Sequence, residues 1–540
     1  MSNQLKIVMA QLNLTVGDIS GNLEKHIQSA TYARDHLSAD VIVFPELSLT
    51  GYPPEDLLLR QSFIDDAHAA LQKCLADIKN IYCVIGHPHA TVNGIYNACS
   101  LIYNGKILGS YAKQHLPNYD VFDEYRYFTP GNTPCVVPIK GILTGLVICE
   151  DLWNLGPVKQ AAISGARLIL SPNASPFETN KHEQRIKALH KQIMDERLPI
   201  VYVNQVGGQD ELLFDGGSMV MDEEGNPAQF AGFFNESLFP VNITFSTTQS
   251  FVTPGEINIP NPVQRIYQGL VTGVRDYINK NHFPGVLIGL SGGIDSALTF
   301  AIAVDALGKD RVTGVLMPSQ FTADISNEDA LALASAFDVK TISIPIKAAY
   351  EQFLDTLSPT FKDTKLDITE ENLQSRCRAV ILMALSNKTG NLVLTTGNRS
   401  EIAVGYCTLY GDMAGGYAVL KDIPKLLVYQ LANYRNHISQ VIPHRTIERP
   451  PTAELAPGQK DEDTLPPYAI LDEILLRYLN QGKRIEEIIA DGFDRDIVMK
   501  TVKMIHRNEY KRKQSALGPR INIKSFGKDW RYPVTNGYKG

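Results

Sequence analysis

The sequence predicts an α/β protein that is built from two successive parts. Short apolar runs of strand length alternate with amphipathic stretches of helix length along most of the chain, as in sheets that are covered by helices. Residues 246–262 break this alternation, since they show little periodicity and contain three prolines and a glycine, and they predict a linker. We therefore expect one domain over residues 1–245 and a second over residues 263–540.

The first part contains six apolar runs that are predicted strands, and several of them end in a polar residue, a glycine or a proline. These runs begin at Leu5, Val41, Ile81, Gly141, Arg167 and Ile200. Residues 21–37 and 182–196 have the pattern of helices. Residues 219–234 differ, because they predict a hairpin that turns at residues 224–226. The first part is therefore not purely parallel.

The second part repeats the alternation more regularly. A predicted helix at 263–281 comes first, and the stretch 297–308 is a second predicted helix. The predicted strands begin at Gly285, Val312, Thr341 and Asn391. This order predicts a doubly wound parallel sheet. Residues 446–467 contain five prolines and a cluster of acidic residues, which predicts a long surface loop.

Composition and charge exclude several classes of protein. The chain has 540 residues, of which 44% are hydrophobic and 20% charged, so a disordered, collagenous or simple coiled-coil protein is excluded. No apolar run approaches the roughly 18 residues that cross a bilayer, and the first residues lack the apolar centre of a signal peptide. The net charge of −7 argues against binding of long nucleic acid. We therefore expect a cytoplasmic protein whose partners are neither membranes nor nucleic acids.

The cysteines also indicate a reducing compartment. Their number, seven, is odd, and none of them belongs to a C-x-x-C pair. A disulfide framework or a structural zinc site is therefore not expected. A location in the cytoplasm agrees with this use of cysteine.

One loop between a predicted strand and a predicted helix has the composition of an anion site. Residues 289–296 have the sequence G-L-S-G-G-I-D-S. Gly292 and Gly293 allow backbone N–H groups to approach a phosphate, and the start of the helix adds donors and a partial positive charge. Asp295 would repel a bare phosphate, so it indicates a Mg2+ ion between its carboxylate and the phosphates. The loop lacks the lysine of a Walker A motif, and the alternative is a plain turn in which Asp295 and Ser296 cap the helix.

The S-G-G-x-D-S sequence resembles the phosphate loop of the ATP pyrophosphatase superfamily, whose fold is of the adenine nucleotide α-hydrolase type. Members cleave ATP between the α and β phosphates, adenylate an oxygen of the substrate, release pyrophosphate and let a nucleophile displace AMP. The resemblance implies ATP as a substrate. The residues implied in ATP binding are Gly289, Leu290, Ser291, Gly292, Gly293, Ile294, Asp295, Ser296 and Thr396.

Three longer stretches of the second part, residues 391–425, 449–468 and 507–521, resemble the NAD synthetase family. Members of that family convert deamido-NAD to NAD+ through an adenylated intermediate. Their synthetase domains pair as homodimers, so we expect this chain to form a homo-oligomer that is at least a dimer. The other expected partners are small molecules, namely ATP, deamido-NAD and a source of ammonia.

The same resemblance assigns roles to four residues of the second part. It implies that Asp295 and Glu401 hold Mg2+. It also implies that Asn372, Glu401 and Lys511 lie against deamido-NAD. Without the resemblance, Glu401 would more often be an exposed acid of a helix, and Lys511 would belong to a solvated basic face.

Three reactive side chains of the first part follow apolar strands: Glu46, Lys113 and Cys149. Taken singly, each has an ordinary explanation: Glu46 could be a surface acid, Lys113 a solvated base and Cys149 a small buried residue. If the strand ends converge, the three side chains together could hydrolyse an amide. Cys149 would attack the carbonyl as a thiolate, and Glu46 would move the protons. Lys113 would place positive charge beside the oxyanion.

This set of residues resembles the Glu-Lys-Cys triad of the nitrilase (carbon–nitrogen hydrolase) superfamily, and the resemblance implies an αββα sandwich. Comparison with the glutaminase domains of NAD synthetases implies that Tyr119, Ser175 and Lys181 bind glutamine. An amidase followed by a synthetase resembles the glutamine-dependent NAD synthetases. We therefore expect ammonia from glutamine to amidate deamido-NAD, with release of AMP and pyrophosphate.

Three alternatives remain open at this point. The same two chemistries could serve another acceptor, as in GMP or asparagine synthetases, although the stretches that begin at Asn391 and Arg449 speak against it. A tRNA-modifying pyrophosphatase would need a wider basic surface than this acidic chain offers. A nucleotide-sensing protein with degenerate sites would not need the complete set of candidate catalytic residues.

Overall fold

The computed structural model describes residues 3–456 and 458–538. The chain divides into two units, Met1–Pro260 and Asn261–Gly540. The predicted linker, 246–262, contains a short strand, because Val252 is buried in the core of the first unit and the backbone around it pairs with the preceding strand. Most of that segment therefore belongs to the first unit. No helix among the described residues is long and apolar enough to cross a membrane.

The first unit contains both strands and helices. Its strands are β1 (Asn3–Gln11), β2 (Val41–Val43), β3 (Tyr82–Thr91), β4 (Gly94–Tyr103), β5 (Lys106–Ala112), β6 (Cys135–Ile139), β7 (Ile142–Leu146), β8 (Leu168–Asn173), β9 (Ile200–Asn204), β10 (Val206–Gln209), β11 (Leu212–Asp215), β12 (Met219–Met221), β13 (Pro227–Phe230), β14 (Ser237–Phe245) and β15 (Ser250–Val252). Its α-helices are α1 (Ile19–Asp35), α2 (Gln61–Asp77), α3 (Pro157–Ile163) and α4 (Lys181–Glu196).

Two main sheets form the centre of the first unit. The larger sheet has the strand order β15-β14-β1-β2-β3-β4-β5, and the smaller has β13-β12-β9-β8-β7-β6. β1, β2 and β3 are parallel to one another, as are β7, β8 and β9. β5 runs in the same direction as β3, because two antiparallel pairings lie between them. The strands that precede Glu46 and Lys113, β2 and β5, therefore run in the same direction and end on the same side of the larger sheet.

Alternating side chains of β1 cover both faces of the larger sheet. Leu5, Ile7 and Met9 are buried in one cluster with residues of β7, β8 and β9 from the smaller sheet. Val8 and Ala10 point to the opposite face and pack with residues of α1 and α2. On the smaller sheet, α3 contacts β7 and α4. These four layers confirm the predicted αββα sandwich.

The second unit is a separate α/β layer structure. Its strands are β16 (Val286–Leu290), β17 (Val312–Leu316), β18 (Thr341–Ser343), β19 (Leu392–Thr395) and β20 (Tyr417–Ala418). Its α-helices are α5 (Pro262–Lys280), α6 (Ile294–Leu307), α7 (Asp324–Ala336), α8 (Lys347–Leu357), α9 (Ile368–Thr389), α10 (Arg399–Val404), α11 (Lys425–Ile438), α12 (His444–Glu448), α13 (Tyr468–Leu475), α14 (Ile485–Ala490), α15 (Arg495–Arg507) and α16 (Glu509–Arg512).

The sheet of the second unit is entirely parallel, with the strand order β18-β17-β16-β19-β20. This confirms the predicted doubly wound sheet. From β16, successive strands are added first on one side, as β17 and β18, and then on the other, as β19 and β20. A ligand crevice is expected at the carboxyl ends of β16 and β19, where this change of direction occurs. The glycine-rich loop follows β16, and Thr396 follows β19, so both lie at that crevice.

The segment 446–467 is only partly the surface loop that the sequence predicts. Its first residues complete α12, and Asp461–Asp463 form a 3₁₀ helix. Leu465 is buried, because it packs in a cluster with residues of α10, α13 and α15. The hairpin at residues 224–226 and the helix predicted at 182–196 are confirmed by β12, β13 and α4.

Candidate active sites

Lys113 lies between two carboxylates in the interior of the first unit. Its Nζ atom is 2.7 Å from Oε1 of Glu46 and 2.9 Å from both carboxylate oxygens of Glu124. All three side chains are buried. Burial alone would lower the pKa of Lys113, but Glu124 and Glu46 raise that pKa well above its ordinary value. Burial raises the pKa of Glu124 to about 7, an effect that Lys113 opposes and Glu46 reinforces.

Cys149 stands at a strained turn beside this cluster. It starts a 3₁₀ helix, Cys149–Leu152, and its φ of +46° lies in the left-handed region. The thiol interacts with the backbone N–H of Ala174, which also donates a 3.0 Å hydrogen bond to Oε2 of Glu46. Burial and the Glu46 carboxylate raise the pKa of the thiol, whereas the Lys113 ammonium lowers it. The structure therefore brings the three reactive side chains into one cluster.

The sequence did not reveal two residues of this cluster, Glu124 and Asn97. Glu124 is the second carboxylate on Lys113, and it also accepts a 2.8 Å hydrogen bond from the hydroxyl of Tyr52. Asn97, on β4, donates a 2.7 Å hydrogen bond to Oε1 of Glu46. Neither residue belongs to a recognisable motif. For Asn97, the one signal in the sequence was the presence of a polar amide among the apolar residues of β4.

Asp151 ties the turn of Cys149 to the segment of Lys113. Its Oδ1 atom accepts hydrogen bonds from the two backbone N–H groups that follow Lys113, at 3.1 and 2.9 Å. Its Oδ2 atom accepts one from the backbone N–H that precedes Cys149, at 3.1 Å. Burial raises the pKa of Asp151 to about 6, and these hydrogen bonds oppose that rise. One carboxylate thus fixes the candidate nucleophile relative to the candidate cation.

The three predicted glutamine ligands surround the same turn. The hydroxyl of Tyr119 donates a 3.0 Å hydrogen bond to Glu150. The Nζ atom of Lys181 lies 4.8 Å from the ring centroid of Trp153. Ser175 is buried, and it directly follows Ala174, whose backbone N–H interacts with both the Cys149 thiol and Glu46. All three are close in the fold to the candidate nucleophile.

The loop after β16 has the conformation of an anion cradle. Gly292 has a φ of +77°, and a Cβ atom there would lie 2.3 Å from the backbone oxygen of Ser326, so only glycine fits. The hydroxyl oxygens of Ser291 and Ser296 are 3.1 Å apart, and Ser296 also donates to the backbone oxygen of Gly293 at 2.9 Å. These bonds fold the loop against the N-terminus of α6, where an anion is stabilised.

Lys425 lies between Asp295 and Glu401 at the start of α11. Its Nζ atom donates a hydrogen bond to Oδ2 of Asp295 and is 3.4 Å from Oε1 of Glu401. Burial alone would lower the pKa of Lys425, but the two carboxylates raise it. Burial raises the pKa of Glu401 to about 8, which Lys425 opposes and Asp295 reinforces. The sequence did not reveal Lys425, because a single lysine at a helix start has no characteristic spacing.

A cavity of about 290 Å3 opens at this crevice. All the residues implied in ATP binding line it, namely the loop 289–296 and Thr396. Glu401 and Lys425 also line it, and residues 449–455 form another wall. This volume is near the lower end of the range for small-molecule sites.

Two of the predicted deamido-NAD ligands, Asn372 and Lys511, lie outside the wall of this cavity. Asn372 accepts a 2.9 Å hydrogen bond from the hydroxyl of Thr408. Lys511 donates 2.8 Å hydrogen bonds to the backbone oxygens of Gly405 and Cys407. Both residues therefore contact the segment that follows α10, rather than the cavity itself.

Asp295 and Glu401 fit a Mg2+ ion. Among residues 3–456 and 458–538, no three His, Cys, Asp or Glu side chains are grouped as a metal site. Mg2+ does not require such a group, because it commonly takes one or two protein carboxylates together with phosphates and water. The contact of one lysine ammonium with both carboxylates shows that the pair can share a single cation.

The two units define a class of enzyme in which a carbon–nitrogen hydrolase is joined to an ATP-dependent synthetase. The family model for carbon-nitrogen hydrolase matches residues 6–252, and that for NAD synthase matches residues 266–515. The chain is 46% identical to the glutamine-dependent NAD(+) synthetase of Xanthomonas campestris, over 100% of this chain and 99% of the relative. It is 45% identical to that of Thermotoga maritima, over 99% of each. The chain belongs to the glutamine-dependent NAD(+) synthetase family.

Solved structures agree with this assignment. The glutamine-dependent NAD+ synthetase of Acinetobacter baumannii, solved in complex with ADP, is 44% identical with a TM-score of 0.79, and the match covers 99% of each chain. The glutamine-dependent NAD(+) synthetase of Cytophaga hutchinsonii is 21% identical with a TM-score of 0.82. The second comparison shows the likeness of fold alone.

Proposed function

We propose that this chain makes NAD+ by amidating deamido-NAD, with MgATP as the activating substrate and glutamine as the nitrogen donor. One observation carries the proposal. The same chain holds a buried Glu–Lys–Cys cluster in its first unit and, in its second, an anion cradle beside two carboxylates that share one cation. The first arrangement suits amide hydrolysis, and the second suits adenylation of a carboxylate.

In the first unit, we assign the nucleophile to Cys149 and the proton transfers to Glu46. The thiol proton passes to Glu46 while the sulfur bonds to the carboxamide carbon of glutamine. Glu46 returns the proton to the leaving ammonia. It then takes a proton from the water that attacks the thioester and gives that proton to the Cys149 sulfur as the C–S bond breaks. Lys113 places positive charge beside the developing oxyanion, and Glu124 holds that ammonium in position. The products are glutamate and ammonia.

We assign glutamine binding to Tyr119, Ser175 and Lys181. Their position around the turn of Cys149 supports this assignment. Lys181 would pair with the α-carboxylate of glutamine, because an ammonium and a carboxylate form a charge-assisted hydrogen bond. The hydroxyl groups of Tyr119 and Ser175 can each donate or accept a hydrogen bond.

In the second unit, we assign the phosphates of ATP to the loop 289–296 and Mg2+ to Asp295 and Glu401. Bound there, Mg2+ would neutralise the phosphates and stabilise the departing pyrophosphate. Lys425 contacts the same two carboxylates, so its ammonium would have to make room for Mg2+ while it adds positive charge near the phosphates. Thr396 supplies a hydroxyl at the end of β19. The carboxylate of deamido-NAD bonds to the α-phosphorus as pyrophosphate leaves, and ammonia then displaces AMP.

We assign deamido-NAD to Asn372, Glu401 and Lys511. Glu401 lines the cavity, and the other two residues contact the segment that follows α10, the helix that carries Glu401. Lys511 would exchange the backbone oxygens of Gly405 and Cys407 for an anionic group of the dinucleotide. This assignment predicts that Lys511→Met raises the KM for deamido-NAD more than the KM for ATP.

We also propose that the protein acts in the cytoplasm as at least a homodimer, paired through the synthetase domain at 263–540. In this proposal, residues 1–245 form the amidase domain, and the segment 246–262, most of which folds with the first unit, connects it to the synthetase domain. Size-exclusion chromatography with light scattering tests the oligomeric state, and a monomer at micromolar concentration would contradict it.

One chromatographic assay tests the proposed reaction. The purified protein is incubated with MgATP, deamido-NAD and glutamine, and NAD+, AMP and glutamate are quantified. The assay is repeated with ammonium in place of glutamine. Formation of all three products with glutamine supports both assignments. If glutamate forms from glutamine, but neither NAD+ nor AMP forms with glutamine or with ammonium, the proposed acceptor is wrong.

A further inference from the structure

We propose that Asn398 is the positioning residue of the Mg2+ site, because its side-chain amide determines which oxygen of Asp295 faces the cation and its backbone N–H does the same for Glu401. Asn398 is completely buried and is the N-cap of α10, the helix that carries Glu401. Its side chain donates to the carboxylate of Asp295 and its backbone N–H donates to the carboxylate of Glu401, although Asn398 is not itself a candidate ligand. The inference rests on the function proposed for this site.

The partners on its two sides fix the orientation of the Asn398 amide. Its Nδ2 atom donates a 2.9 Å hydrogen bond to Oδ1 of Asp295. Its Oδ1 atom accepts a 3.0 Å hydrogen bond from the backbone N–H of Glu401. The reverse orientation would place the amide oxygen against a carboxylate and the NH2 group against an N–H donor, which is unfavourable on both sides.

Few side chains could replace this amide. Aspartate and serine accept at a helix N-cap as well as asparagine does, but aspartate cannot donate, and serine is too short to keep both partners. Asparagine caps α10 and donates to Asp295 with one short side chain. The capping function alone does not require asparagine at this position, because aspartate or serine could also cap the helix.

The same residue also orients Glu401. The backbone N–H of Asn398 donates to Oε2 of Glu401 at 3.3 Å, which completes a capping box. The two carboxylate oxygens that Asn398 does not contact are Oδ2 of Asp295 and Oε1 of Glu401, and these face the ammonium of Lys425. Asn398 therefore presents one defined oxygen from each carboxylate to a shared cation. Hydrogen bonds of this kind typically raise metal affinity 10- to 100-fold.

Two variants separate the capping role from the positioning role. Asn398→Ser keeps a capping oxygen and loses the donor to Asp295, whereas Asn398→Ala loses both. The probe is α,β-methylene-ATP, an analogue that cannot be cleaved between the α and β phosphates, titrated by calorimetry with Mn2+ and again with EDTA. The readout is the metal-dependent gain in affinity, which is the ratio of the two dissociation constants. Asn261→Ser is the matched control, because Asn261 is the N-cap of α5 and accepts from the backbone N–H of Gln264.

We expect the metal-dependent gain to fall about tenfold or more in both Asn398 variants, with the affinity for the metal-free analogue unchanged. The melting temperature should fall further in Asn398→Ala than in Asn398→Ser, because only the alanine variant loses the cap. Asn261→Ser should leave the gain at the wild-type value.

Two outcomes would overturn the inference. If Asn398→Ser keeps the wild-type metal-dependent gain in affinity, Asn398 acts only as a helix cap. Loss of metal-free binding in both variants would mean that Asn398 supports the whole cavity rather than the cation. The proposed function is tested separately, since a wild-type protein that makes no NAD+ from ammonium would contradict it whatever the variants do.

Discussion

The Nζ atom of Lys113 lies 2.7 Å from Oε1 of Glu46, although each residue is only 1% exposed. A buried ion pair contributes little to stability by itself, because the loss of hydration offsets the attraction between the charges. The pair is tolerable here because Asn97 and the backbone N–H of Ala174 satisfy further lone pairs of the Glu46 carboxylate. The position of the pair beside the Cys149 thiol suggests that it serves catalysis rather than stability.

Removing the thiol should separate the two reactions. Cys149→Ala is expected to lower glutamine-dependent NAD+ synthesis about a thousandfold or more, because the covalent step needs sulfur. Synthesis from ammonium should remain at the wild-type rate. The measurement is NAD+ formation with each nitrogen source. Cys135→Ala, which removes a half-buried thiol from β6, is the control, and loss of both activities in Cys149→Ala would contradict the division of labour.

The pKa of Glu124 predicts a defined dependence of stability on pH. Burial raises this pKa from an ordinary 4.5 to about 7, so between these values the folded protein keeps a proton that the unfolded chain has lost. The stability contributed by that proton is complete below pH 4.5 and is lost as the pH rises to about 7. Glu124→Gln cannot ionise, so its melting temperature should rise relative to the wild type over this interval.

Thermal melting of both proteins at several pH values from 4.5 to 8 measures this difference. Beyond pH 7 the difference should become constant, because Glu124 is then ionised in both states. Glu224→Gln, in the exposed hairpin turn, is the control and should show no such trend. A difference for Glu124→Gln that is independent of pH would contradict the raised pKa.

The glycine-rich loop 289–296 should tolerate no side chain at Gly292. Gly292→Ala places a Cβ atom against the backbone oxygen of Ser326, so we expect affinity for α,β-methylene-ATP to fall at least about tenfold as the loop shifts. Gly308→Ala is a matched control, because Gly308 ends α6, the helix that follows the loop. It has a φ of +80°, and nothing lies within 4 Å of a Cβ atom built there. It should lose about 1 kcal/mol of stability and retain binding. Equal binding losses in the two variants would refute the steric explanation.

Asp295 should be required with either nitrogen source. Asp295→Ala is expected to lower AMP formation about a hundredfold or more with glutamine and with ammonium alike, because adenylation precedes the use of ammonia. The assay quantifies AMP and NAD+ by chromatography. Asp310→Ala, which changes an exposed acid beyond the end of α6, should behave as the wild type. Near-normal turnover of Asp295→Ala would remove the metal-binding role from this residue.

The fold class could be predicted from the sequence because apolar periodicity is local. The helix predicted at 182–196 differs from α4 by one residue, and the hairpin at 224–226 has the expected turn. Glu46 and Cys149 could be proposed from the sequence because each closely follows an apolar run. The strand at 250–252 was missed, because its three residues form a strand only through pairing with β14.

The residues that support the two sites could not be predicted in the same way. Asp151 and Asn97 act through partners that are distant along the chain, so no spacing marks them. Lys425 and Asn398 gain their roles only when α10 and α11 meet the loop after β16. A motif identifies the side chains that react, whereas tertiary contacts determine the side chains that hold them in place.

The pairing of β1 has a consequence for the synthesis of the protein. β1 pairs with β14 along its whole length, from Asn3 opposite Phe245 to Gln11 opposite Ser237. β1 therefore completes its pairing only when the last part of the first unit has been translated. We expect nascent or prematurely terminated chains that lack β14 to have an unfinished sheet and an inactive amidase. Unfinished copies of the enzyme would then consume none of the glutamine of the cell.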